Sequence, residues 1–157
     1  MLFFSSLNQR RAQVIDAMRR KGLHVVCNDN RLWDSAHRDQ MIRRAKLVLN
    51  MHFFDNSRIV EIPRLAMLFR QRKAVLCELY ADSEIFYPEL RHAVAGVAYD
   101  GLADMAVLLA SAPQLRQRLA RQGFEAFSAH SQTAVLGPAL DEFFAWRAEI
   151  LGANARI

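Results

Sequence analysis

Four short apolar runs constrain this chain most, at residues 2–4, 23–27, 47–51 and 74–77. Each is too short for a helix and shows little polar alternation, which is the pattern of a strand buried on both faces. The stretch "VAGVAY" at 94–99 is a fifth candidate. Between the runs the spacing turns helical. Leu7, Val14, Ile15 and Met18 share one face, and Gly22 follows the last turn as a stop. Residues 35–46 give a weaker helix with Met41, Ile42 and Ala45 on its buried side. Residues 59–71 give a stronger one through Ile62, Leu65, Ala66, Leu68 and Phe69. Strands alternating with helices predict an α/β fold: a Rossmann-like three-layer sandwich with a mostly parallel sheet of about five strands.

The second half reads as helical. Leu102, Met105, Ala106 and Leu109 repeat at i, i+3, i+4 and i+7, with Asp100 placed to cap the start. A further helix carries Leu115 and Leu119 and is expected to stop near Gly123. From Phe124 onward Phe127, Leu136, Leu140, Phe143 and Phe144 form an aromatic segment interrupted at Gly137 and Pro138. One domain over 1–150 and a frayed tail at 151–157 are expected.

The 157 residues are 52% hydrophobic and 24% charged, an ordinary globular balance. Net charge is +5, which favours anionic partners, but the basic residues are dispersed along the sequence. Nucleic acid is therefore not an expected partner. Cys27 and Cys77 stand at the ends of apolar runs without CxxC spacing, arguing against a disulfide framework or a zinc site. A reducing, cytoplasmic location fits, with membrane association at most peripheral. No signal peptide is expected, and no stretch approaches the roughly 20 apolar residues that span a bilayer.

In an open parallel sheet, ligands bind outside the carboxyl ends of the strands. Three loops would lie there: "SSLNQRR", "HFFDNSR" and "ELYADSE". In the first, Ser5, Ser6 and Asn8 precede Arg10 and Arg11 at a helix opening. This is either a phosphate site or a simple N-cap with solvated arginines. In the second, Asn56 or Ser57 could cap the next helix, placing Glu61 in its first turn. Pro63, tolerated only near a helix start, sets that start close to residue 59 or 60. Glu61 then either complements the helix dipole or accepts hydrogen bonds from a ligand's hydroxyl pair. His52 is open to the same two readings, structural or ligand-facing.

The segments "MLFFSSLNQRR", "AKLVLNMHFF", "RIVEIPRLAMLFRQRKAVLCE" and "QRLARQGFEAFSAH" together resemble the C-terminal, donor-binding domain of GT-B glycosyltransferases of the bacterial family 1 type. The resemblance covers about residues 1–145 and is most specific in the middle. It implies a Rossmann-like domain that binds a nucleoside-diphosphate sugar without a metal or other cofactor. Glu61 would hold the ribose hydroxyls, Asn56, Ser57 and Arg58 would face the diphosphate, and Arg10 or Arg11 would neutralise it. Ser6, Asn8 and His52 complete the expected donor-binding set, His52 at the phosphate or sugar.

Two positions depart from the family pattern. The Glu-x7-Glu motif would need its first glutamate where Phe53 stands, with Asp55 out of register. Ser5 occupies a loop position where relatives often have glycine. GT-B enzymes also place the acceptor site and usually the catalytic base on an N-terminal domain, for which this chain has no room. No general base is expected here. The partner would be such a domain or another protein, and the alternative is a non-catalytic nucleotide-binding or interaction module.

Overall fold

A computed structural model describes residues 1–27, 34–85 and 87–154. It forms two compact units, residues 1–127 and the segment from Ser128 onward.

The first unit is mixed α/β. Helices α1 (Gln9–Arg20) and α2 (Ser35–Arg44) precede strand β1 (Val48–Asn50). Helix α3 (Ile62–Arg70), strand β2 (Val75–Glu78), a 3₁₀ helix (Pro88–Ala93) and strand β3 (Ala95–Val97) follow, then helices α4 (Leu102–Ser111) and α5 (Pro113–Ser128). The sheet is parallel, in the order β1-β2-β3, with Leu49 beside Leu76 and Cys77 beside Gly96. Among the described residues it therefore has three regular strands, not about five. The first two apolar runs join it only through single parallel bridges, Leu2 to Val48 and Leu2 to Val26. Backbone bonds accompany them: Leu2 N–H to Leu47 C=O at 3.0 Å, Leu49 N–H to Leu2 C=O at 2.9 Å and Phe3 N–H to Val26 C=O at 2.9 Å.

Strand alternation sends neighbouring side chains into two separate apolar layers. Phe3, Leu49 and Leu76 pack with Val14, Ile15 and Met18 of α1 and with Leu102, Ala106 and Leu109 of α4. Leu2, Val48, Val75 and Cys77 pack with Ile42 of α2 and Leu65, Leu68 and Phe69 of α3. Helices thus cover both faces, which explains why the strands read as unbroken apolar runs.

Asn8 caps α1, its side chain accepting the Arg11 N–H, and Asp34 caps α2. Gly22, at φ +85°, closes α1: its N–H bonds the Arg19 carbonyl at 2.9 Å while Leu23 N–H bonds Met18 C=O at 3.1 Å. This paired closure needs a left-handed residue at that position.

Other boundaries differ from expectation. Helix α3 starts at Ile62 rather than near residue 59, with Pro63 in its first turn. Residues 58–60 are extended instead, because Val60 N–H bonds Glu84 C=O at 3.0 Å and Glu84 N–H bonds Arg58 C=O at 2.8 Å. Asn56 and Ser57 consequently cap nothing on α3; they lie in a turn closed by Ser57 N–H to Phe54 C=O. Asp100 sits in a 3₁₀ turn (Tyr99–Gly101) and makes no side-chain cap on α4. Helix α5 runs through Gly123 to Ser128, since Gly123 serves close packing: a Cβ there would lie 2.3 Å from a ring carbon of Phe69.

The second unit is built on helix α6 (Gln132–Asn154), which continues through Pro138 rather than breaking at it. Phe143 packs against Phe144 at 5.6 Å and Trp146 at 5.9 Å between ring centroids. Of the tail expected to fray, residues 155–157 lie outside the described residues. Among the described residues no helix is long and apolar enough to cross a membrane.

Candidate functional site

Polar side chains gather where the parallel strands end. Asn50, His52 and Glu78 are buried there. A buried carboxylate at a strand end demands a partner, and Glu78 has three donors. Arg10 meets it through Nη1 to Oε2 at 2.9 Å and Nη2 to Oε1 at 2.5 Å. The Tyr80 hydroxyl donates to Oε1 at 2.7 Å and the His52 N–H to Oε2 at 2.9 Å. Burial alone would raise the Glu78 pKa, but these donors outweigh it and hold the carboxyl below its ordinary value. The bond to Glu78 in turn raises the Arg10 pKa. Arg10 also pairs with the exposed Asp55 and lies 4.0 Å over the Tyr99 ring, whose hydroxyl donates to the Arg10 carbonyl at 2.8 Å.

Arg11 is buried yet meets neutral acceptors. It donates from Nε to His52 C=O at 3.1 Å, from Nη1 to Ser5 Oγ at 2.9 Å and Ser6 C=O at 2.8 Å, and from Nη2 to Met51 C=O at 2.7 Å. Desolvation lowers its pKa. The guanidinium fills the space between the loops after the first apolar run and β1, stapling one to the other.

On the α3 side a second group forms. Arg64 pairs with Glu61 at 2.9 Å, reaches Asn50 Oδ1 at 3.3 Å and Ser5 Oγ at 3.4 Å, and lies over the Phe4 ring. Glu61 occupies the N-cap position of α3 without capping it, and its side chain is 51% exposed. Arg58 turns the other way, toward Asp82 at 3.1 Å, and lies over the Tyr80 ring.

The expected site residues therefore divide. Arg10, Arg11, Ser6 and His52 converge, but the two arginines are committed to internal partners and are not set out for phosphate. Asn8 is the α1 N-cap and donates to Phe53 C=O at 2.7 Å. Ser57 contributes a carbonyl to Arg58, and Asn56 lies exposed in the adjoining turn. Glu61 is accessible at its helix start. Sequence reasoning missed Glu78, Tyr80, Asn50, Arg64 and Tyr99. The acid ending the apolar run "AVLCE" was the available signal, since a carboxylate closing a buried parallel strand must be paired.

His52 carries one further anomaly. Its Nε2 is buried without a hydrogen-bond partner, and burial lowers its pKa, keeping the ring neutral. Buried polar atoms are seldom left this way. Asn8, Arg10, Gln13, Phe53, Asp55 and Tyr99 line an open cleft of about 600 Å³, to which His52 does not contribute. Among the described residues no group of His, Cys, Asp and Glu is arranged to hold a metal ion.

No family model matches the chain, and no curated protein or solved structure matches it.

Proposed function

We propose that the chain is a donor-binding domain of GT-B type, holding a nucleoside-diphosphate sugar at the carboxyl edge of its sheet. The observation that carries this reading is Glu61: a half-exposed carboxylate at the start of α3, unused as a cap and paired with Arg64, which itself reaches Ser5 of the first loop. A carboxylate there accepts two ribose hydroxyls. Arg64, Ser5 and the positive end of α3 then receive the diphosphate, a role that Arg10 and Arg11 cannot fill while they hold Glu78 and the loop carbonyls.

Topology supports the same reading. With the bridged segments counted as strands, the parallel order runs through Val26, Leu2, Val48, Val75 and Ala95. This is the flavodoxin-like order 2-1-3-4-5, which like the Rossmann order is doubly wound; it reverses between Leu2 and Val48, where an open α/β sheet places its ligand crevice. His52, with its buried Nε2, lies in the loop following that reversal. Transfer would then proceed without a metal, with donors fixed around the leaving diphosphate and the acceptor carried by another domain or protein.

Phe53 favours a second reading, a nucleotide-binding or interaction module without transfer activity. The ring stands where the family pattern wants an acid, and Arg11 packs over it at 5.0 Å.

Calorimetry with UDP, GDP and ADP tests the proposal. One of them is expected to bind, with Glu61→Ala and Arg64→Ala each weakening it about tenfold or more. Absence of binding by all three, or unchanged affinity in Glu61→Ala, would sink it. Hydrolysis or transfer from the matching nucleotide sugar separates the two readings.

A further inference from the structure

We propose that the opposite, amino edge of the sheet docks on an anionic phospholipid bilayer. Each of α1, α2 and α3 leads back to the start of the next extended segment, so all three end at this edge. Each ends in basic residues: Arg19 and Arg20, Arg43 and Arg44, and Arg70. Lys21, Lys46 and Arg72 extend the series into the following turns, and all eight are exposed.

The turns adjoin one another. Lys73 Nζ donates from the turn after α3 to Arg43 C=O at 2.7 Å and Ala45 C=O at 3.3 Å at the end of α2. His24, Arg44 and Lys46 line a single cavity with the turn after α1.

Basic last turns ordinarily complement the helix dipole, but that dipole supplies only about half a negative charge per helix end. The local acids take two cations, Asp16 pairing with Arg19 and Asp104 with Lys21, while Asp39 accepts from Gln71. Arg20, Arg43, Arg44, Lys46, Arg70 and Arg72 make no carboxylate pair among the described residues. Three half-charges cannot balance six cations.

The cavity, about 410 Å³, decides which anion suits this edge. Its lining includes Leu2, Val26, Leu47 and Ala106 beside Arg44 and Lys46. An amphiphile satisfies both parts, its phosphate at the cations and the start of its acyl chain against the apolar wall. A nucleic-acid backbone would meet the cations and leave that wall in water. This inference is independent of the nucleotide site, which lies at the other end of the strands.

Vesicle flotation tests it, with pure phosphatidylcholine against an equal mixture of phosphatidylcholine and phosphatidylglycerol. Binding is expected only to the mixture and should weaken as salt shortens the screening length. Each basic residue near an anionic surface contributes on the order of fivefold, so Arg43→Gln with Arg44→Gln should lower partitioning about tenfold or more. Lys46→Gln with Arg70→Gln provides a second pair at the same edge. Arg58→Gln with Arg91→Gln removes equal charge at the carboxyl edge and should change partitioning less than twofold, circular dichroism verifying that each variant is folded. Equal binding to both vesicles, equal loss in all three pairs, or tighter binding to a 20-base-pair duplex than to the mixed vesicles would overturn the proposal.

Discussion

Arg10 and Glu78, 68 residues apart in sequence, meet fork to fork with Nη1–Oε2 at 2.9 Å and Nη2–Oε1 at 2.5 Å. Removing Glu78 leaves Arg10 with only the exposed Asp55, and breaking a buried pair typically costs about 3–5 kcal/mol. Glu78→Ala should lose stability of that order in urea denaturation. Replacing both residues, Arg10→Met with Glu78→Leu, should recover much of the loss. A Glu78→Ala variant within about 0.5 kcal/mol of the native chain would remove the pair from the fold's essential interactions.

The same cluster sets the acid limb of stability. His52 has a lowered folded pKa because of burial, so the unfolded chain binds its proton more readily. Stability should begin to fall as pH drops below the ordinary histidine value of about 6.5. Glu78 also has a lowered folded pKa: burial opposes ionisation, but Arg10, Tyr80 and the His52 N–H more than offset it. Its contribution is complete above the unfolded carboxylate value and is lost as pH falls through the folded one. His52→Gln should flatten the first part of the decline and Glu78→Gln the second, read from thermal melts across pH 3–8.

Gly123→Ala should destabilise the chain although alanine is the better helix former. The new Cβ would sit 2.3 Å from the Phe69 ring, which is fully buried. Overpacking of this kind costs about 1–3 kcal/mol, more than the roughly 1 kcal/mol gained in helix propensity. Phe69→Leu in the same chain should make the alanine less costly. Additive losses in the double variant would show that the two residues do not compete for space.

The cysteines should label unequally. Cys77 is fully buried in β2 and burial pushes its thiol up to about 12; the half-buried Cys27 lies on the bridged segment at 23–27. A thiol-reactive disulfide reagent at pH 8 should modify Cys27 and reach Cys77 only after denaturant is added. Equal native rates would mean that β2 opens far more readily than its packing implies.

The apolar runs made the alternation of strands and helices legible, because burial on both faces leaves a local signature. Strand extent was less legible: residues 2–4 and 23–27 have the composition of full strands but pair through single bridges. The start of α3 was misplaced because the Arg58–Val60 backbone has a distant partner in Glu84, which nothing local announces. Nor could sequence say that Arg10 and Arg11 face inward, since acceptors that hold them, Met51, His52 and Glu78, lie 40 or more positions away. The basic residues illustrate the opposite effect. They look dispersed when read along the chain, and the return of each helix to the same edge collects them.

The bridges at Leu2 also bear on how the chain is made. Leu2 is held between Val26 and Val48, and Arg10 has no buried counter-ion until Glu78 exists. Translation at about 5–20 residues per second leaves the opening segment several seconds without its neighbours. During synthesis the apolar segment at residues 1–4 thus lacks its strand neighbours until residues 26 and 48 have been made.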